Sequence, residues 1–183
     1  KVCESTDPLL RRPFSVHQIV DEFHLQLLFK VVGKGTEILR HYRVGDELSL
    51  LGPLGRGFQI KTDRSACLIG GGLGIAPMLI LAKEISDLGM DKFNNRIVLG
   101  GRTNKEVEPL VSDFMKYNMD LHCGTDDGSY GKKGFVTDIF KDLDLDAGTV
   151  VYTCGPEPMM EAVRNLCVEK SLECQVSVES VMA

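Results

Sequence analysis

The stretch "CLIGGGLGIAPMLILAKEI", Cys67 to Ile85, constrains the fold more than any other. An apolar, strand-like start runs through three glycines straight into a helical pattern. That is the shape of a βα unit, and βα units build parallel sheets. The glycines let a backbone approach a ligand closely, and Pro77 suits a first helical turn, where its missing N–H costs little. The free N–H groups of such a turn favour an anion such as pyrophosphate. The spacing is nevertheless not G-x-G-x-x-G, because Pro77 stands three residues after Gly74. The plainer alternative is a tight glycine turn used only for packing.

The same alternation continues downstream. "ACLIG" predicts a strand and Ala76 to Leu88 a helix. "RIVLGG" predicts a strand, followed by a helix over Lys105 to Tyr117 despite Pro109. "MDLHCGT" predicts a strand, then a turn-rich loop "GTDDGSYGKKG" and a short helix from about Val136. "TVVYTCG" predicts a strand, Pro156 to Lys170 a helix, and "LECQVSVE" a last strand. Strands that are apolar at nearly every position, such as "RIVLG" and "TVVYTCG", are expected in a parallel sheet covered on both faces. Residues 64–173 therefore read as one doubly wound domain.

Upstream the period changes. "FSVHQIV" and "HLQLLFKVVG" are β-rich, and "DELSLLGPLG" ends in a Gly/Pro cluster. One short helix is predicted at "GTEILRHY", with Thr36 as its cap and Ile38 and Leu39 facing inward. Short strands with such turns predict a small antiparallel barrel over residues 1–63. Barrel and sheet together place a cleft between domains, where ligands commonly bind. Residues 174–183 hold the last strand and whatever follows it.

Composition excludes several classes. With 43% hydrophobic and 26% charged residues the chain is globular, and its net charge of −5 argues against a nucleic-acid partner. No apolar run approaches the roughly 20 residues of a membrane-spanning helix. The six cysteines form no C-x-x-C pair, and the four histidines show no metal spacing. Cys67 and Cys123 read as small buried hydrophobes, which fits a reducing, cytoplasmic setting.

Several short stretches carry chemistry. "RRPFS" sets Arg11 and Arg12 beside Pro13, Phe14 and Ser15, and arginine suits bidentate phosphate contacts. "VGKGTEIL" brings the backbone amides of Gly35 and Thr36, with a hydroxyl, to a helix start that can hold a diphosphate, although the P-loop spacing is absent. "VVYTCGPEP" ends a parallel strand with Cys154 and Gly155, at the carboxyl edge where such sheets bind ligands. A helix start beside Cys154 would favour its thiolate, whereas the plainer reading is a small residue that leaves room for a ligand ring. The second strand ends "LGGRTN", with no acid in it for a ribose hydroxyl; Arg102 can meet a 2′-phosphate, stack on adenine or be solvated.

Taken in order, R-P-F-S, G-K-G-T, G-G-G-L-G-I-A-P and C-G-P resemble the ferredoxin–NADP reductase superfamily across nearly the whole chain. Within it, "LLRRPFSV", "GKGTEIL", "LLGPLGRGF", "GTDDGSYGKKG" and "YTCGPEPMM" resemble the electron-transfer subunits of NAD-dependent dihydroorotate dehydrogenases. That resemblance implies an FAD-binding barrel, incomplete here at its start, then an NAD domain. It also implies a 2Fe-2S domain beyond Ala183, because "SVESVMA" stops one residue short of the family's first cluster cysteine. The family often carries Arg where Val181 stands. No metal ligand is expected among the six cysteines present.

By residue, the resemblance implies that Arg12 contacts FAD phosphate, that Pro13 belongs to the cofactor-binding set, and that Phe14 and Ser15 line the flavin with Ser15 near N5. Leu28, Phe29 and Lys30 would flank the cofactor, and Gly35 and Thr36 would bind its diphosphate. Gly71, Gly72 and Gly74 would border the NAD pyrophosphate, with Cys154 and Gly155 near the nicotinamide. Ser15 and Cys154 are the residues implied in catalysis. The implied partner is an FMN-containing catalytic subunit in a heterotetramer. Two other readings stay open: a sulfide dehydrogenase-like or ferredoxin–NAD(P) reductase subunit, and a non-catalytic flavin-binding module.

Overall fold

The computed structural model describes residues 11–178. Its larger part is a mixed α/β unit built on a six-stranded parallel sheet. The strands are β3 (Ala66–Gly71), β4 (Arg96–Gly101), β5 (Asp120–Thr125), β6 (Lys132–Lys133), β7 (Val150–Cys154) and β8 (Glu173–Val176). Their spatial order is β6-β5-β4-β3-β7-β8, so the chain winds outward from β3 in one direction and then returns to add β7 on its other side. The point of reversal lies between β3 and β7, where Gly70 pairs with Cys154.

Helices cover both faces of this sheet. Leu68, Ile97, Leu99 and Tyr152 pack against Met78, Leu79, Ala82 and Ile85 of α2 (Ala76–Asp87) and Val107 and Phe114 of α3 (Asn104–Phe114). On the opposite face Cys67, Ile69, Val98 and Val151 meet Val136, Ile139 and Phe140 of α4 (Val136–Asp142) and Val163 and Leu166 of α5 (Glu157–Glu169). Two-sided burial is why β3 and β7 are apolar along their whole length rather than alternating. Pro109 sits inside α3, which ends at Phe114, three residues before the predicted limit. Buried Asn95 ties the strand starts together: its Oδ1 accepts from Ala66 N at 2.9 Å and its Nδ2 donates to Met90 O at 2.8 Å.

The N-terminal lobe is smaller. β1 (Val16–Ile19) and β2 (Leu25–Leu27) form a two-stranded antiparallel sheet, followed by α1 (Lys34–Arg40). "DELSLLGPLG" forms no strand, and Leu50, Leu51 and Leu54 are exposed. A strand exists only where it finds a partner, and among the described residues this segment finds none. Thr36 is not the helix cap. It occupies the third helical position, where its Oγ1 accepts from Val32 N and Gly33 N at 3.0 and 3.2 Å and donates to Gly33 O at 2.9 Å. Gly33 takes the cap position instead.

The two parts are joined by more than the chain. Phe58 lies edge-on to Tyr152 at 5.5 Å, and Lys61 N donates to the Tyr152 hydroxyl at 3.1 Å. Gln59 and Gln175 exchange two hydrogen bonds of 2.8 Å, fastening the connecting segment to β8. β1 packs on α2, where buried His17 places Nδ1 3.0 Å from Ala76 O. A carbonyl only accepts, so Nδ1 carries the proton in this contact.

Candidate functional site

A pocket of about 370 Å³ opens where the N-terminal lobe meets the sheet unit. Arg12, Pro13, Phe14, Ser15, Leu28, Phe29, Lys30, Gly35 and Thr36 all line it. Motifs far apart in sequence thus converge on one cavity, of a size ordinary for a ligand site. Phe14 and Phe29 form one wall, edge-to-face with centroids 6.1 Å apart. Val32, Gly33 and Lys34 extend the lining toward α1. Leu73 and Ala76 come from the glycine turn of the other lobe, which nothing in the sequence singled out.

Local hydrogen bonds sort the polar candidates. Arg11 is turned away: its Nη1 and Nη2 donate to the Ser49 carbonyl and hydroxyl at 2.7 and 2.8 Å, while Arg12 lines the pocket. The Thr36 hydroxyl is committed to shaping its own turn, so anion contacts at this end fall to backbone N–H groups.

The second group lies at the carboxyl edge of β3 and β7. A short 3₁₀ turn, Gly72–Ile75, links β3 to α2 and brings Gly74 against the end of β7. A Cβ built on Gly74 would lie 2.1 Å from Cys154 O and 2.5 Å from Gly155 N, so the two loops touch backbone to backbone. Gly72 has φ +57°, a conformation that favours glycine, with open space where its side chain would be. Cys154 itself is 7% exposed. Gly71, Gly72, Gly74, Cys154 and Gly155 are therefore brought together at the carboxyl edge of β3 and β7, at the strand reversal. The same turn reaches both places: Leu73, with Ala76 at the start of α2, lines the pocket, and Gly74 lies against Cys154.

One charged cluster was not legible beforehand. Glu106, in the first turn of α3, accepts from Lys30 Nζ at 2.8 Å, from Arg102 Nε and Nη2 at 3.1 and 3.0 Å, and from Arg102 N at 3.0 Å. Burial works to raise the Glu106 carboxyl, but the Lys30 ammonium and the Arg102 donors outweigh it and hold it at about 2. Arg102, a candidate for 2′-phosphate or adenine contact, is thus paired with Glu106 while 75% of its side chain stays exposed.

Cys67 and Cys123 behave as small apolar side chains. Burial pushes the Cys67 thiol up to about 12 and the Cys123 thiol to about 11. Among the described residues no three His, Cys, Asp or Glu side chains stand together to hold a metal, and Cys67, Cys123, Cys154, Cys167 and Cys174 are free thiols. Nor is any described helix long and apolar enough to cross a membrane.

Known proteins share these features. Residues 68–165 match the family model of the oxidoreductase NAD-binding domain. A solved NADH-dependent reduced ferredoxin–NADP oxidoreductase, 30% identical, superposes with a TM-score of 0.68 over 86% of this chain and 56% of its own. The flavohemoglobin of Malassezia yamatoensis, solved with FAD and heme, shares the fold at 18% identity and a TM-score of 0.63, over 89% of this chain and 46% of its own. "Dihydroorotate dehydrogenase B (NAD(+)), electron transfer subunit" from Clostridium acetobutylicum is 39% identical over 97% of this chain and 68% of its own length. The protein of the same name from Desulforamulus reducens is 37% identical over 98% of this chain and 68% of its own. A third, from Fusobacterium nucleatum, is 34% identical over 100% and 70%. Identity at this level along essentially the whole chain, on a fold and motif order that the reductases share, means that the chain belongs to the family of dihydroorotate dehydrogenase B electron transfer subunits.

Proposed function

We propose that this chain carries electrons between NAD and a dihydroorotate-oxidising partner by way of bound FAD. The observation that carries the reading is the glycine turn after β3: Leu73, with Ala76, lines the pocket of Arg12–Ser15, while Gly74 lies against Cys154 at the end of β7. Two cofactor sites meeting at one turn suit transfer from a nicotinamide to a flavin. The pocket's cations, aromatic wall and backbone amides fit a flavin dinucleotide, and the open space at Gly72 fits a pyrophosphate.

Bound FAD would supply the exchange between hydride and single electrons. Arg12 offers a fork of donors to a phosphate, and Gly35 an amide to the diphosphate. Phe14 and Phe29 would flank the flavin, and the Ser15 hydroxyl would offer it a hydrogen bond near N5. Gly71, Gly72 and Gly74 let NAD lie against the sheet edge, while Cys154 and Gly155 leave room for the nicotinamide. Leu73 and Ala76 shield the meeting point from water. The finer organisation follows: an FAD-binding barrel including residues 1–63, a doubly wound NAD domain over 64–173, and a link at 174–183 toward a 2Fe-2S domain. The partner would be an FMN-containing catalytic subunit, joined in a cytoplasmic heterotetramer.

The test is anaerobic mixing of the FAD-loaded protein with NADH and, separately, NADPH, following loss of flavin absorbance. NADH should reduce the flavin faster, with turnover when an artificial acceptor is added. No reduction by either cofactor defeats the enzymatic reading. A preference for NADPH that disappears in Arg102→Ala reverses the choice of NAD.

A further inference from the structure

Lys30 and Glu106 are 76 positions apart and lie on different lobes, yet their charged atoms are 2.8 Å apart. Lys30 follows β2 and lines the pocket between Phe29 and Val32. Glu106 belongs to the first turn of α3, on the sheet unit. Its carboxylate is held before Lys30 arrives: Arg102 supplies three donors from the end of β4, two to Oε1 with the guanidinium and one to Oε2 with the backbone. Only 15% of the Glu106 side chain is exposed. A preset, largely buried carboxylate reaching for one ammonium across a cleft makes a stiffer tie than an exposed surface pair. Elsewhere along the boundary, β1 rests on α2 through His17 and Ala76 O at 3.0 Å. Polar contacts thus pin the lobes at separate places, and rotation about the β1–α2 contact is resisted by the Lys30–Glu106 pair.

We propose that Glu106 is a positioning residue that latches Lys30 across the cleft, so that the pocket and the glycine turn keep the spacing that hydride transfer requires. The inference rests on the flavin–NAD reading above. In that transfer a hydride, two electrons with one proton, leaves reduced nicotinamide for oxidised flavin, and water supplies the flavin's second proton. Such a step needs its reacting atoms about 3–3.5 Å apart, and a displacement of about 1 Å can cost roughly 100-fold. The latch holds the wall that carries Phe29 against the lobe that carries Gly74 and Cys154.

Glu106→Gln keeps the side chain's size and removes its charge. In the FAD-loaded protein it should slow the limiting rate of flavin reduction by NADH about tenfold or more, with the NADH Kd changed less than about threefold. Lys30→Met should do the same, and the double variant should be no slower than the slower single, because both act through one contact. FAD content is measured for each variant and rates are taken per bound flavin. An unchanged limiting rate in Glu106→Gln, or effects that multiply in the double variant, overturns the proposal; a purely structural role would lower thermal stability and leave the rate alone. Amide exchange reads the latch without cofactor chemistry. Glu106→Gln should speed exchange across residues 28–32 about tenfold and leave β4 unchanged. Wild-type flavin that NADH cannot reduce would defeat the functional reading, and unchanged exchange would defeat the latch.

Discussion

Replacing Gly74 by Ala tests the architecture where it is tightest. The new methyl would sit 2.1 Å from Cys154 O, 2.3 Å from its carbonyl carbon and 2.5 Å from Gly155 N. All three are backbone atoms, so no rotamer change relieves the contact. Real Cβ atoms stay at least 3.0 Å from such neighbours. The turn must therefore retreat by roughly 1 Å from β7, at the pair of strands that defines the reversal; overpacking of this kind costs about 1–3 kcal/mol. Gly72→Asn is the matched control. Its φ of +57° suits Asn, and its side-chain space is open, so the loss there should stay below about 1 kcal/mol. Urea denaturation of the two variants measures the difference directly. In the FAD-loaded protein, Gly74→Ala should also slow flavin reduction by NADH by up to about 100-fold, because the turn sets the nicotinamide approach. A Gly74→Ala protein as stable as wild type, reduced at the wild-type rate, would refute the claim that this contact positions the site.

Glu106 makes a prediction about acid. Its carboxyl is lowered from 4.5 to about 2 in the folded protein, so the stabilisation is complete above about 4.5 and fades as pH falls toward 2. The stability advantage of wild type over Glu106→Gln should be about 1–3 kcal/mol at pH 7 and shrink through that window in urea titrations; an advantage that stays constant to pH 2.5 would sink the assignment. Arg12→Ala should weaken FAD binding by about 1–3 kcal/mol, the scale of a charged hydrogen bond, as read by equilibrium dialysis, and unchanged retention would remove Arg12 from the phosphate site.

Legibility in the sequence followed burial. "ACLIG" and "TVVYTCG" are readable because a strand buried on both faces must be apolar throughout, and their glycine and proline borders separate them from helices. β6 was not readable: Lys132 and Lys133 are both exposed and count as a strand only because they pair with Gly124 and Thr125. "DELSLLGPLG", within the stretch expected to be β-rich, forms no strand, since apolar residues do not make one without a partner. The pocket was half legible. Arg12–Ser15 and Gly35–Thr36 sit in short motifs whose residue types announce phosphate and ring contacts, although Thr36 proved to serve the turn itself.

The cross-lobe half of the site had no such signal, for a physical reason. In the sequence, Glu106 is an acid in the first turn of a predicted helix, a placement that the helix dipole alone explains. Arg102 four residues earlier suggests at most an ordinary local pair. What makes Glu106 different is Lys30, brought within 2.8 Å by the docking of β1 on α2 and not by any local rule. Dipole, arginine and lysine all favour the same ionised carboxylate, so the interaction that joins the lobes hides behind two that would exist without it. Removing Lys30 leaves the Arg102 contacts in place, which is why the rate in Lys30→Met, more than the stability of any single variant, isolates the tie between the two halves.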